Sequence, residues 1–263
     1  MNFPIDLIKH ETESLRLSYF LVPWDTELMS RPVVQISEIE VTDVDRARED
    51  FLQFIQWKSE QGIAFSSCRI PERKSQECHL VQQFGYRYVE LNYRPELMLE
   101  NSQFEPESDF HFVEATETDQ AVMTEIAASV FRSGRFHDDP QIGSKIGDER
   151  YRRWMQNAFS HPQQEVVKCV REQEIVAFFV QEYPADDEVF WSLVGLAPGF
   201  QGKGLGGRVW RSHLAHLRED GTKRISTSIS SRNVPVFNLY VSLGFRFPEP
   251  SVTFHWHAGW PVL

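Results

Sequence analysis

Cysteine is scarce in this 263-residue chain, and long apolar runs are absent. Cys68, Cys78 and Cys169 lie far apart with no C-x-x-C among them, which argues against a disulfide framework and against a cysteine-rich zinc site. Such cysteine usage fits a reducing cytosol. The longest apolar run, Ile175 to Val180, is far shorter than a membrane span.

The N-terminal stretch lacks the apolar run of a signal peptide, because three charged residues interrupt it (Asp6, Lys9 and Glu11). We therefore expect a soluble, cytoplasmic protein with no membrane partner.

Positive charge is in deficit, because 27 Lys and Arg stand against 38 Asp and Glu and leave a net charge of −11. Proteins that bind phosphate backbones need a cationic surface, so we expect no nucleic-acid partner. Hydrophobic content of 41% and charged content of 25% are ordinary for a globular protein. The length fits one large domain or two modest ones. The sequence does not define an oligomeric state, and a homo-oligomer stays open.

An internal repeat appears when the sequence is shifted by 159 residues, which places Glu60–Glu90 over Glu219–Glu249. Nine positions coincide, where average composition gives about two. The repeat ends in F-G-Y-R-Y-V-E in one copy and L-G-F-R-F-P-E in the other. Two similar helix–glycine–strand junctions would be an alternative explanation. The ungapped register favours a duplication.

Hydrophobic periodicity and glycine positions predict an α/β domain over residues 1–94. Its elements are a strand at 33–37, a helix at 43–61 closed by Gly62, a strand at 63–68, a helix at 74–84 and a strand at 86–94. The acidic stretch 95–109 carries two prolines and is interpreted as an interdomain linker.

Residues 110–263 are predicted to form a second, larger domain with the order β-α-α-β-β-β-α-β-α-β. The fold class is therefore α/β (α+β), with a mixed central sheet flanked by helices and preceded by a smaller α/β half-repeat. The predicted elements are strand 110–115, helices 118–131 and 148–160, strands 165–171, 174–182 and 188–196, a helix to 219, strand 224–229, helix 234–243 and the strand region 245–257.

A glycine-rich loop, Gln201–Gly207, follows the strand at 188–196 and begins a helix. Glycines leave main-chain N–H groups accessible, and the helix N-terminus behind them favours an anion such as a phosphate. Gly202, Gly204 and Gly207 match G-x-G-x-x-G, but the loop does not follow the first strand and no acid ends the next strand, as a dinucleotide fold requires. A Walker loop is excluded, because no Lys-Ser or Lys-Thr follows the last glycine.

The run V-G-L-A-P-G-F-Q-G-K-G-L-G resembles motif A of the GNAT N-acetyltransferases, whose pattern [QR]-x-x-G-x-[GA] is filled by Gln201, Gly204 and Gly206. The resemblance covers about residues 110–257. It implies acetyl-CoA as cosubstrate, with its pyrophosphate in the loop and its pantetheine along the preceding strand. Lys203 either adds charge to the phosphates or is solvated. The implied cofactor contacts are Val194, Leu196, Gln201, Gly202, Lys203, Gly204, Leu205, Gly206, Gly207 and Asn233.

Acyl transfer to an amine needs a proton donor for the leaving thiolate. Tyr240 lies seven residues after Asn233, two turns along one helix face. The resemblance implies that Tyr240 is the general acid and that Asn233 contacts the coenzyme. The alternative roles are a half-buried aromatic and a helix cap. The general base stays open among Glu182, His137 and a water chain.

Residues 131–159 resemble the acceptor region of the TDP-fucosamine acetyltransferase-like subgroup, which also has an N-terminal half-domain without a glycine loop. The first half here has T-D-V-D-R-A-R at that place, so we expect it to build the acceptor side. Arg135, Phe136 and His137 are then candidates for contacts with a nucleotide sugar, Arg135 to a phosphate and Phe136 to a ring. An ordinary connecting loop is the alternative.

His255 and His257 alternate on the last strand and face one way, which suits a metal, but without a carboxylate or third ligand nearby a core or surface role is favoured. We therefore predict no metal. The sequence predicts an acetyl-CoA-dependent N-acetyltransferase acting on a small-molecule primary amine, such as a nucleotide-linked amino sugar. The alternatives are another small amine or an amino acid as acceptor, and a non-catalytic acyl-CoA sensor, which would not need Tyr240.

Overall fold

A computed structural model describes residues 5–100 and 102–259; the predicted outer domain boundaries at 1 and 263 and Asn101 of the predicted linker lie outside them. The first half of the chain supplies most of a seven-stranded sheet. Its elements are β1 (Ile8–Glu11), β2 (Leu15–Leu21), α1 (Pro23–Met29), β3 (Val33–Val41), α2 (Val44–Glu60), β4 (Phe65–Pro71), α3 (Ser75–Gln83) and β5 (Arg87–Tyr93). The sequence patterns predict no secondary structure over the ranges of β1, β2 and α1.

The second half supplies a six-stranded mixed sheet with flanking helices, which confirms the predicted fold class. Its helix α5 begins four residues earlier than the predicted start at 148. The elements are β6 (Glu96–Met98), β7 (His111–Glu114), α4 (Gln120–Val130), α5 (Ser144–Ala158), β8 (Gln164–Arg171), β9 (Glu174–Ala185), β10 (Glu188–Leu196), α6 (Leu205–Glu219), β11 (Arg224–Thr227), β12 (Ile229–Ser230), α7 (Val234–Ser242) and β13 (Ser251–His257).

The glycines shared by the two copies of the repeat have the same structural role. Gly62 and Gly221 follow α2 and α6 with φ of 63° and 93°, and Gly85 and Gly244 follow α3 and α7 with φ of 82° and 83°. Helices commonly end on a glycine in this left-handed region, where a Cβ would be strained. The two aligned segments therefore share helix ends as well as sequence.

The two sheets exchange strands, so the predicted boundaries at 94 and 110 do not coincide with the sheets. β13, from the end of the chain, lies between β4 and β5 in the first sheet. β6, inside the predicted linker, pairs with β11 in the second sheet. Sequence pattern predicts that a segment is a strand, but the edge it joins depends on contacts between distant residues.

A cleft opens where the second sheet divides. β10 and β11 pair in parallel only where Glu188–Trp191 of β10 lies beside Arg224–Thr227 of β11. Beyond Trp191, no strand in the described part of the chain pairs with that edge of β10. β12 pairs instead with β5 of the first sheet. The chain thus crosses from one sheet to the other just after Thr227 and leaves a gap beside the end of β10.

An apolar cluster joins the two halves next to this cleft. Phe136, from the connection between α4 and α5, packs with Phe20, Val33 and Phe65 of the first half. Burial of such side chains stabilises the association of the halves by about 2 kcal/mol each. In the described residues, no helix combines the length and apolarity that crossing a membrane would require.

The buried His213 of α6 makes stability depend on pH. Its Nε2 lies 2.8 Å from Gln181 Oε1, and burial, with a smaller effect of His216, lowers its pKa from 6.5 to about 3. The unfolded chain therefore binds a proton in a pH range where the folded chain does not. As pH falls from 6.5 towards 3, we expect this group to lower the unfolding free energy by up to about 1.4 kcal/mol per pH unit.

Urea unfolding across this range measures the effect. His213→Leu should flatten the pH dependence, because Trp191 Nε1 still donates to Gln181 Oε1 and no titrating group remains at the position. His79→Leu, at an exposed histidine, is the matched control and should leave the slope unchanged. Equal slopes in wild type and His213→Leu would show that His213 does not cause the dependence.

Candidate functional site

A single cavity of about 840 Å³ occupies the cleft and is lined by both halves of the chain. One wall is formed by the end of β10, the glycine loop and α7. The other comes from β3, β4 and β5 of the first half, together with the loop after α4 and helix α5. The site therefore exists only in the assembled tandem fold.

The glycine loop is held open and its helix is uncapped. Gly202 and Gly204 have φ of 71° and 72°, and a Cβ on either would meet no protein atom within 4 Å. Gln201 Nε2 donates to the Leu196 carbonyl at 2.9 Å, which ties the loop to the end of β10. Gly204 is the N-cap of α6 and offers no side-chain acceptor. The first N–H groups of α6 are thus available to an anion.

The corresponding helix in the first half is capped by its own carboxylate. Asp43 Oδ1 accepts hydrogen bonds from the N–H groups of Asp45 and Arg46, at 3.1 and 3.3 Å. The strand–helix connection there is only residues 42–43, against 197–204 in the second half. A short connection and an occupied helix N-terminus leave no place for a phosphate. Only the second half keeps the predicted anion site.

Most of the predicted cofactor contacts meet at the cavity. Val194, Leu196, Gln201, Gly202, Gly206 and Asn233 all line it. Four predicted contacts do not line it: Gly204, Leu205, Gly207 and Lys203. Leu205 is directed into the core, and a Cβ on Gly207 would lie 3.0 Å from Arg211 Nη1. Lys203 is exposed, with Nζ 5.8 Å from the centre of the Phe200 ring.

Tyr240 lines the cavity although it is 1% exposed. Burial raises its pKa to about 12, while the polar side-chain atoms of Trp210 and Thr227 act in the opposite direction. The hydroxyl therefore keeps its proton at neutral pH. Asn233, at the start of the same helix, caps it through Oδ1, which accepts from Val236 N–H at 3.4 Å. Asn233 therefore caps α7 and also lies at the cavity.

Glu90 of β5 is a site residue that sequence reasoning missed. It lines the cavity, is 2% exposed, and its Oε2 is buried with no hydrogen-bond partner among the described residues. Oε1 lies 3.6 Å from Arg69 Nη2. A register shift in the pairing of β5 with β13 leaves Val89 without a partner and buries Val89 and Glu90 in succession. No local sequence pattern reveals such a bulge. The only signal at Glu90 in the sequence is its match with Glu249 in the internal repeat.

Only one of the three predicted acceptor contacts reaches the cavity. Arg135 lines it, and its Nη1 donates to Ser67 Oγ at 2.9 Å. Phe136 is 3% exposed and lies in the apolar cluster between the halves, not in the cavity lining. His137 is also buried away from the cavity, with Nε2 2.9 Å from Asp148 Oδ1. The interface between the halves takes up Phe136, and contacts within the second half take up His137.

Neither predicted base candidate lies at the cavity. His137 is engaged with Asp148, and Glu182 Oε1 accepts from Gln164 Nε2 at 2.7 Å on the far part of β9. Glu90 is the carboxylate among the lining residues.

The two histidines of β13 do have a carboxylate beside them, contrary to the sequence analysis. Asp139 Oδ2 lies 2.7 Å from His255 Nδ1 and 2.8 Å from His257 Nε2, and all three groups are buried. Their ligand atoms lie within 4.8 Å of one another, a spacing that a metal ion could bridge. The hydrogen bonds already give the carboxylate its partners and join β13 to the connection between α4 and α5.

Fold and site together define a tandem α/β protein whose second sheet divides beside an uncapped glycine loop. The family model described as "Acetyltransferase (GNAT) family" matches residues 125–245, which include the loop, α6 and α7. This part of the chain is therefore similar to the GNAT acetyltransferase family.

Three known proteins show how far the likeness extends. Spore coat polysaccharide biosynthesis protein SpsD of Bacillus subtilis is 18% identical over 239 residues, 90% of this chain and 81% of the relative. Mycothiol acetyltransferase of Corynebacterium glutamicum is 32% identical over 84 residues, 31% of this chain and 28% of that protein. A solved tandem GNAT protein from the clavulanic acid biosynthesis pathway has a TM-score of 0.60 at 10% identity, over 94% of this chain and 79% of its own.

Proposed function

We propose that the protein is an acetyl-CoA-dependent N-acetyltransferase that transfers the acetyl group directly to a primary amine. The observation that carries the proposal is that one cavity joins the uncapped glycine loop, Tyr240 and Glu90. The donor is a substrate of the reaction. Its diphosphate would bind at the glycine loop and its pantetheine would lie along the unpaired edge of β10, beside Val194 and Leu196.

The proton transfers follow from the two lining side chains. The acceptor amine attacks in its neutral form, and its nitrogen bonds to the thioester carbon. Glu90 accepts, directly or through water, the proton that the nitrogen then loses, and the carbon–sulfur bond breaks. Tyr240 gives its hydroxyl proton to the leaving thiolate. After transfer, the proton on Glu90 leaves to solvent and solvent restores the proton that Tyr240 donates. A base and an acid on opposite walls of the cavity complete the balance of protons for acyl transfer.

A nucleotide-linked amino sugar is the acceptor class we favour, as in the TDP-fucosamine acetyltransferase-like subgroup. The distant similarity to SpsD, whose name places it in polysaccharide biosynthesis, supports this choice. Another small amine or an amino acid is the alternative acceptor. A non-catalytic acyl-CoA sensor is the alternative of another class, and Tyr240 and Glu90 in one cavity speak against it. A cytoplasmic location and the absence of a metal and of a nucleic-acid partner also stay predictions.

Binding of CoA is the first test of the proposal. Calorimetry should give one site per chain in the wild type. Gly204→Asp should weaken it about tenfold or more, because Gly204 needs a positive φ and a carboxylate there would cap α6 as Asp43 caps α2. Gly259→Asp, at another glycine with positive φ and open space, is the matched control. Unchanged CoA affinity in Gly204→Asp would contradict the assigned phosphate site.

A further inference from the structure

We propose that the acceptor carries a phosphate or diphosphate group, and that Arg69, Arg135 and Arg150 bind it at the cavity wall opposite the glycine loop. Asp25 of α1 is the positioning residue that holds two of these arginines. The inference rests on the proposed function for the amine, but the binding of the anion is independent of it.

The charges around this wall do not balance. Three arginines line the cavity, and Glu90 is the carboxylate that faces them. Arg69 has Glu90 as its partner, at 3.6 Å. Arg135 and Arg150 share the single carboxylate of Asp25, at 3.4 and 3.0 Å. One positive charge is left over, in a protein whose net charge is −11.

The excess charge is buried, which makes an anionic ligand favourable. The side chains of Arg135 and Arg150 are only 13% and 19% exposed. Burial, together with the nearby charges of Arg150 and Arg69, lowers the pKa of Arg135 to about 9. Like charges taken out of water repel each other strongly. An anion in the cavity would remove that repulsion.

The guanidinium groups are held before any ligand arrives. Asp25 is 1% exposed, and its two oxygens each take one arginine. The carbon atoms at the centres of the Arg135 and Arg150 guanidiniums both lie 4.8 Å from the centre of the Phe136 ring. Phe136, predicted as a substrate contact, therefore acts by supporting both arginines. Little side-chain entropy remains to be lost on binding.

The number and type of donors favour a phosphate over a carboxylate. A carboxylate is satisfied by one guanidinium in a paired geometry, whereas phosphate and diphosphate have several oxygens that take paired N–H donors from more than one arginine. Ser67 Oγ, which accepts from Arg135, adds a hydroxyl beside them. Three arginines at one wall are therefore suited to a phosphorylated amine.

Binding of inorganic diphosphate tests the anion site directly. The calorimetric titration is made with CoA at saturation, so that the glycine loop is occupied. We expect one diphosphate site in the wild type and about tenfold or more weaker binding in Arg150→Gln. Arg153→Gln, on the same helix and paired with Glu149, is the matched control and should bind normally. No diphosphate binding to the wild type, or equal binding in Arg150→Gln, would overturn the proposal.

Turnover of glucosamine and of glucosamine 6-phosphate tests the acceptor class. The phosphate should lower KM by about tenfold or more, and Arg150→Gln should remove the difference. Asp25→Asn should raise KM for the phosphorylated amine more than KM for glucosamine, whereas a purely structural role would raise both KM values by the same factor. Equal KM values for the two amines would overturn the proposal and leave the acetyltransferase function intact. If diphosphate binds in a way that depends on Arg150 but no amine is acetylated, the result would contradict the acetyltransferase function and support the anion site.

Discussion

Tyr240→Phe should lower the turnover of acetyl transfer about a hundredfold or more, the usual scale for a positioned general acid. The change removes one hydroxyl and leaves the ring in its place against Phe245. Because burial raises the pKa of Tyr240 to about 12, the hydroxyl carries its proton through the neutral range. Thiol release from acetyl-CoA with a panel of amines measures the rate, and calorimetry with CoA should show little change in affinity.

Tyr93→Phe is the matched control for this experiment. Tyr93 packs on Phe237 of the same helix but does not line the cavity, so its variant should keep normal turnover. Equal turnover in Tyr240→Phe and wild type would remove Tyr240 from the mechanism. If thiol release were absent from both proteins, the result would favour the alternative of a non-catalytic CoA-binding module.

Glu90→Gln should lower turnover by a similar or larger factor, about a hundredfold to ten-thousandfold, if Glu90 is the general base. Glutamine keeps the size of the side chain and its hydrogen bonding but cannot accept the proton of the amine. The pH profile gives a second readout: an acidic limb of kcat/KM that comes from the base should be present in the wild type and absent in the variant. Glu90→Asp keeps a carboxylate and should retain part of the activity.

The repeat supplies the matched control for Glu90. Glu249 occupies the equivalent position in the second copy, where it pairs with Arg73 at the surface. Glu249→Gln should leave turnover and the pH profile unchanged. An acidic limb that persists in Glu90→Gln would assign the base to another group, such as a water chain.

The two halves of the chain contribute different parts of the site. The first half has a helix N-terminus that its own Asp43 occupies, while the second has a longer connection that leaves α6 free. The first half contributes instead the wall that carries Arg69 and Glu90. A half whose helix N-terminus is occupied thus forms the opposite wall of the site in the other half.

The glycine loop and Tyr240 could be found in the sequence because their signals are local. A loop that exposes N–H groups needs glycines in succession, and a side chain seven residues after a helix start lies on the same face as that start. The structure brings Tyr240, Asn233 and three of the seven predicted loop contacts (Gln201, Gly202 and Gly206) to one cavity. Lys203, Leu205 and Gly207 show the limit, because a motif does not state which of its side chains face the cavity.

The acceptor wall could not be found in this way. Phe136 was predicted to touch substrate because its loop resembles that of the TDP-fucosamine acetyltransferase-like subgroup, yet it is buried between the halves. Glu90 and Asp25 are single carboxylates in ordinary local contexts, one after a bulge in β5 and one in a short helix. Their roles depend on contacts with residues that lie far away in the chain. Asp25, for example, binds two arginines that are each more than 100 positions away.

By itself the sequence determined most of the element order, the repeat, the glycine loop with its exposed N–H groups and the place of Tyr240 on α7, since each can be read from residue types and spacing along the chain. Only the tertiary structure decided that β13 completes the first sheet, that Phe136 is core and that Glu90 faces the cavity. Strand pairing and burial depend on contacts between residues far apart in the chain, and a single sequence does not specify those contacts locally.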